Sequence, residues 1–163
     1  VFIHFISAFF YKITMANFQD QLIKSKRIDA NTVSKELFDF IRSISKELIE
    51  LNKKQINEDS QDIYGNAIGF YSRATEFLTL GAKKAGEPFT GEDTGSWLAK
   101  FYVTVLDNTF YFGSTDPKTD DILDSPNWLS SDLFGLTDEN LQMVIDTKFL
   151  PFIKEFYRKS LDL

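Results

Sequence analysis

The sequence predicts an α+β fold: an N-terminal amphipathic helix, a small antiparallel β-sheet, and a C-terminal helix kinked or broken near Pro151. Three observations carry that expectation. Apolar residues recur at three- and four-residue spacing over Val33 to Leu51 and again over Leu141 to Phe149, the period shortens to two over Phe101 to Phe112, and Pro151 interrupts the last apolar stripe. The chain has 163 residues, 43% hydrophobic and 26% charged, which is the composition of one globular domain with room for an ordinary core.

The first helix follows the turn-forming Asp29-Ala30-Asn31. Val33, Leu37, Phe40, Ile41, Ile44, Leu48 and Leu51 make its stripe, with Lys35, Glu36, Asp39, Arg42, Lys46 and Glu47 on the solvated face. The last helix opens on Thr137 as N-cap, with Asp138 and Glu139 placed where a helix dipole favours acids. Its stripe is Leu141, Val144, Ile145 and Phe149. Pro151 lacks an N–H and suits the start of a new helix over Phe152 to Leu161.

Between these helices, Phe101, Val103 and Val105 alternate with Tyr102 and Thr104. After Leu106-Asp107-Asn108 the run Thr109 to Phe112 resumes, a β-hairpin signal with apolar residues on both faces. The stretch Ile63 to Leu80 reads two ways, since Ala74, Phe77 and Leu78 suit a short helix while Gly65 and Gly69 punctuate it as a loop.

Residues 1–14 stand apart. Val1 to Tyr11 is nearly all apolar, yet far shorter than the roughly twenty residues a membrane-spanning helix needs, and it lacks the basic start and small-residue exit of a signal peptide. Met15 followed by polar sequence is the expected true start. Residues 15–163 are then expected to form a single α+β domain.

Composition restricts the chemistry. No cysteine is present, and the only histidine is His4, so residues 15–163 offer no thiol nucleophile, no Ser-His-Asp triad and no His- or Cys-ligated metal. No glycine-rich phosphate loop occurs either. The expectation is therefore a protein that is not an enzyme and needs no cofactor or metal. Asp93-Thr94-Gly95 spells the aspartic-protease triplet, which a homodimer could duplicate. The polar run Glu87 to Glu92 ahead of it is unlike the apolar strand that buries such an aspartate. Glu92 and Asp93 are adjacent, so on an extended segment they point apart and converge poorly on one substrate. The expected role of Asp93 is to cap a turn, with Gly95 supplying a backbone conformation others resist and Trp97 buried behind it. The acidic loop Asp116 to Asp124 lacks the alternating ligand spacing of a calcium loop and reads as solvated. A net charge of −6 speaks against nucleic acid as a partner.

Five segments taken in order carry a resemblance: Gly69 to Glu76, Ala85 to Phe89, Asp93 to Trp97, Ser114 to Thr119, and Leu133 to Thr137. Their succession resembles small tail-completion and neck (head–tail joining) proteins of tailed bacteriophages and prophages. In such proteins an N-terminal helix precedes the Asp-Thr-Gly segment leading into a β-sheet, and a C-terminal helix closes the domain. The strand that follows the triplet departs from the family's usual form, here Phe110-Tyr111-Phe112-Gly113. The resemblance implies a non-catalytic virion structural protein, found in the virion or in the host cytoplasm during assembly. Its partners would be other neck or tail proteins and copies of itself in a ring, with no nucleic acid and no membrane. Tyr102, Tyr111, Phe112, Phe152 and Phe156 are the candidate interface residues, because more apolar side chains are available than two helices can cover. A homodimeric aspartic protease using Asp93 is the alternative, and a small regulatory binding module a third reading.

Overall fold

The computed structural model describes residues 18–91, 95–106, 109–123 and 131–162. It is an α+β structure, with α1 (Ala30–Ser43), α2 (Ser45–Asn57), α3 (Arg73–Leu78) and α4 (Ser96–Ala99) leading into the hairpin β1 (Phe101–Leu106) and β2 (Thr109–Ser114). A short α5 (Thr119–Leu123), a 3-10 turn (Ser131–Leu133), α6 (Asp138–Val144), a π-helical turn (Ile145–Phe149) and α7 (Leu150–Leu161) complete the order. Residues 18–25 are also helical. The chain divides into two compact units, one comprising the N-terminal residues through Leu37 with Asp146–Leu163, the other Phe38–Ile145.

The predicted first helix is two helices. Asp29 caps α1, its carboxylate accepting from Thr32 N–H at 2.7 Å, an interaction that also lowers its pKa. The split falls at Ile44, where ψ opens to 11°. Just before it, Ser43 donates its hydroxyl to the Phe40 carbonyl at 2.6 Å, the local competition by which serine disturbs a helical ladder. The apolar stripe nevertheless runs through the break, and Ile41, Ile44 and Leu48 are all buried.

The C-terminal end matches its expectation in a specific form. Thr137 caps α6 by accepting from Asn140 N–H at 3.2 Å, with Asp138 and Glu139 in the first turn. The helix widens into the π-helical turn before Pro151, which occupies the first turn of α7. Proline cannot donate to the regular ladder, and proline and π-bulges are both recognised sites of helix irregularity. In its unit, Phe152 and Phe156 are half-buried, Lys24 bridges the carboxylates of Asp20 and Asp162, and no described residue is fully buried.

The main core belongs to the other unit. Ile56, Ile68, Tyr71, Phe89, Trp97, Leu98, Phe101 and Leu133 form one buried cluster, with Ile49, Ile122, Leu123 and Phe134 packed against it. The stretch Ile63 to Leu80, ambiguous in sequence, contributes Ile68 and Tyr71 to this core. It then forms α3, capped by Ser72, whose hydroxyl oxygen accepts from Thr75 N–H. A buried amide pair ties the loops to α2. Gln55 Oε1 accepts from Thr137 N–H at 2.9 Å and Asn140 Nδ2 at 3.0 Å, while Asn52 Nδ2 donates to the carbonyls of Leu133 at 2.9 Å and Gly135 at 2.6 Å.

The hairpin is antiparallel in the register Phe101↔Ser114 through Leu106↔Thr109. Its two faces differ, a distinction the alternation alone did not give. Phe101, Val103, Val105, Phe110 and Phe112 lie on the buried or half-buried side, whereas Tyr102, Leu106 and Tyr111 are exposed.

Candidate functional site

The segment around the Asp-Thr-Gly triplet is built for position. Asp93 and Thr94 lie outside the described residues, so the capping and protease readings of Asp93 fall there too. Gly95 has φ of 74°, the left-handed conformation expected of it, and no atom lies within 4 Å of where a Cβ would stand. A β-branched residue at this position would carry backbone strain alone, about 1–2 kcal/mol. Gly95 opens the short helix α4 rather than a strand. Trp97 sits on that helix, 4% exposed, and donates its Nε1–H to Thr119 Oγ1 at 3.2 Å. Its ring meets Phe101 edge-on at 4.9 Å and Phe134 at 6.0 Å. Gly91, with φ of 66°, lets the chain pass so close that a Cβ there would stand 3.0 Å from the Trp97 ring. Trp97 thus ties α4 to β1 and α5 in the core.

The acidic loop is engaged in the same support. Asp116 is buried, accepts from Lys118 N–H at 2.9 Å and pairs with Lys100 Nζ at 3.3 Å. The Lys118 amide, followed by Lys100, holds its carboxyl below the ordinary value of 3.8. A lowered folded-state pKa means that the stabilisation is complete above the unfolded value and is lost as pH falls through the folded one. Asp116→Asn is therefore expected to be less stable than wild type at pH 7 and to lose less on acidification below about pH 4. Thermal melts of both proteins from pH 7 to pH 2 would check this, and parallel curves would contradict it. Among the described residues, no group of three or more His, Cys, Asp or Glu side chains is placed to hold a metal ion.

A cavity of about 1010 Å³ opens beside Tyr71. Asn57, Glu58, Ser60, Leu78, Thr79, Lys83, Glu87, Pro88 and Thr90 are among its lining residues. Tyr71 Oη lies 3.1 Å from Thr90 Oγ1 and accepts from Thr90 N–H, and the Lys83 ammonium stands 5.4 Å from the centre of its ring. Ser60 has φ of 52°, and its buried hydroxyl finds no partner among the described residues. This lining is polar and mixed in charge, and it contains neither histidine nor cysteine.

Leu78, which lines the cavity, belongs to a stretch of exposed apolar side chains whose exposure the sequence did not disclose. Phe77, Leu78 and Leu80 are 81%, 79% and 95% exposed, and Phe70 and Tyr64 are exposed as well. The end of α3 holds them there through a Schellman motif: Leu80 N–H donates to the Phe77 carbonyl and Gly81 N–H to the Glu76 carbonyl at 2.8 Å. The left-handed position in this motif usually falls to glycine. Here it is Leu80, with φ of 53°. Of the expected interface residues, Tyr102 and Tyr111 are exposed on the outer face of the hairpin, while Phe112, Phe152 and Phe156 are half-buried. Phe152 and Phe156 lie in the other unit.

No family model matches the chain, and neither a curated protein nor a solved structure matches it. Among the described residues, no helix is long and apolar enough to cross a membrane.

Proposed function

We propose that the chain is a non-catalytic structural protein of a tailed phage or prophage, acting in the neck or tail, in tail completion or head–tail joining, by protein–protein assembly. The order of the sequence segments supports the phage assignment, and the exposed ridge of Phe77, Leu78 and Leu80 supports assembly. In the isolated chain the ridge has a cost without a matching gain. Leu80 takes a left-handed conformation worth roughly 1–2 kcal/mol of strain to a side chain with a Cβ, yet it is 95% exposed. Covering such side chains on a partner contributes about 1.5–3 kcal/mol each. A partner surface thus supplies what the fold of the single chain does not.

Leu80→Gly separates the two contributions. The variant relieves the left-handed strain, so the melting temperature of the purified chain is expected to hold or rise. Combined with Phe77→Asp in the phage genome, it is expected to leave heads and tails unjoined in electron micrographs of the lysate. Normal particle yield from a folded double variant would overturn the reading.

A further inference from the structure

We infer, resting on the assembly reading of the ridge, that Phe77, Leu78 and Leu80 receive an acidic segment of another protein, one in which apolar side chains are flanked by carboxylates. From Ile63 to Gly86, the stretch that holds the exposed Tyr64, Phe70, Phe77, Leu78 and Leu80, the chain carries Arg73, Lys83 and Lys84 against Glu76 alone. The whole chain has a net charge of −6. A local excess of positive charge therefore accompanies the apolar ridge of an acidic protein.

The acids near the ridge have partners within the chain, whereas two of the cations do not. Glu76 accepts from Ala85 N–H at 3.2 Å, and Glu87 accepts from Lys84 N–H at 3.3 Å. Glu58, which lines the cavity with Leu78, stands 3.8 Å from the Lys54 ammonium. Arg73 and Lys84 are exposed and form no ion pair with a described residue. Arg73 opens α3, one turn ahead of Phe77, where residues four apart are neighbours on a helix surface. A basic residue in the first turn opposes the helix dipole, so its charge does not serve α3 itself.

Charge complementarity selects the partner. Beyond Ile63 to Gly86 the chain is more acidic than it is as a whole, and an extended anionic lipid surface would meet that acidity too. Lipid recognition of this kind also uses a larger cluster, about four to eight Lys or Arg. A single acidic segment fits within the patch. Its apolar side chains cover the ridge, and its carboxylates meet Arg73 and Lys84 at the rim.

Arg73→Glu with Lys84→Glu leaves every apolar side chain of the ridge in place, and both positions are exposed, so the purified double variant is expected to melt with wild type. In the phage genome it is expected to lower the yield of joined particles about tenfold or more, since like charges juxtaposed at an interface are strongly unfavourable. Arg73→Lys with Lys84→Arg keeps both charges and should give wild-type yield. Benzoylphenylalanine in place of Phe77, irradiated in particle-producing cells, should crosslink to a peptide of another protein with more Asp and Glu than Lys and Arg. That readout leaves Arg73 and Lys84 intact, and it decides the matter if the double variant unfolds. A neutral or basic crosslinked peptide, unchanged yield from a folded double variant, or equal losses from charge reversal and charge conservation would overturn the acidic partner and leave the assembly reading standing. A crosslink to lipid or to a second copy of this chain would overturn it too. No crosslink at all would overturn both.

Discussion

Trp97→Ala is expected to cost about 3–5 kcal/mol, the range for deleting a large buried aromatic side chain, and to lower the melting temperature of a chain of this size by roughly 10 °C or more. The reason lies in its neighbours. Its ring packs on Phe101 and Phe134, Gly91 is shaped around it, and its Nε1–H reaches Thr119 on α5, so truncation opens a cavity where α4, β1 and α5 are joined. Trp97→Phe keeps most of the packing and gives up the bond to Thr119, a loss of about 1–2 kcal/mol. Urea unfolding of the three proteins measures both steps. Equal stability of Trp97→Ala and wild type would show that Trp97 does not anchor the hairpin.

Gln55→Ala is the second large effect, expected at about 2–4 kcal/mol, because the side chain is fully buried and its loss leaves the Thr137 N–H without an acceptor. The Asn140 side-chain amide loses its acceptor as well, while the carbonyls of Asp62 and Gly135 each lose one of two donors, Gly65 N–H and Asn52 Nδ2 remaining. Gln55→Glu isolates the polar part of this account. A carboxylate would still accept from Thr137 and Asn140 but would face the carbonyls that now accept from Nε2. Burial and those carbonyls favour the protonated acid, so its folded pKa lies above the ordinary value of about 4.3. The folded state then binds more protons than the unfolded one, and the stability of Gln55→Glu must fall as pH rises from that ordinary value. Denaturant midpoints of wild type and Gln55→Glu between pH 4 and pH 8 test the sign. A variant that gains stability relative to wild type with rising pH would contradict it.

These residues also show what the sequence could and could not disclose. The stripe Ile41, Ile44, Leu48 continues at the same spacing into Asn52 and Gln55, and all five are buried. A reading that counts only apolar residues ends the stripe at Leu51, which is half-buried, and passes over the amides that tie the loops to α2. The signal was present as a periodic position occupied by an uncharged polar residue with no solvent-side partner. The hairpin followed from the alternation on either side of Leu106-Asp107-Asn108, and Gly95 from its place ahead of Trp97, whereas the register, in which Leu106 belongs to the strand and pairs with Thr109, did not. The Ile44 break was harder to see because Ser43 acts through one local hydrogen bond that leaves the apolar period intact.

The exposed ridge lay beyond sequence reasoning for a different reason. Phe77 and Leu78 are apolar like core residues, yet the core nearby is made by Ile68, Tyr71 and Phe89 while they stay exposed. Counting apolar side chains against available cover predicted a surplus, and the hairpin does expose Tyr102, Leu106 and Tyr111. The larger exposures fall instead between Tyr64 and Leu80. Only the Schellman motif with leucine at its left-handed position places a side chain there at a conformational cost.

Cryo-electron microscopy of the intact phage particle tests the central claim most directly. The account predicts this chain at the neck or tail, with Phe77, Leu78 and Leu80 covered by a neighbouring protein. A neck and tail fully accounted for without this chain, or the chain in place with all three side chains still exposed to solvent, would contradict it.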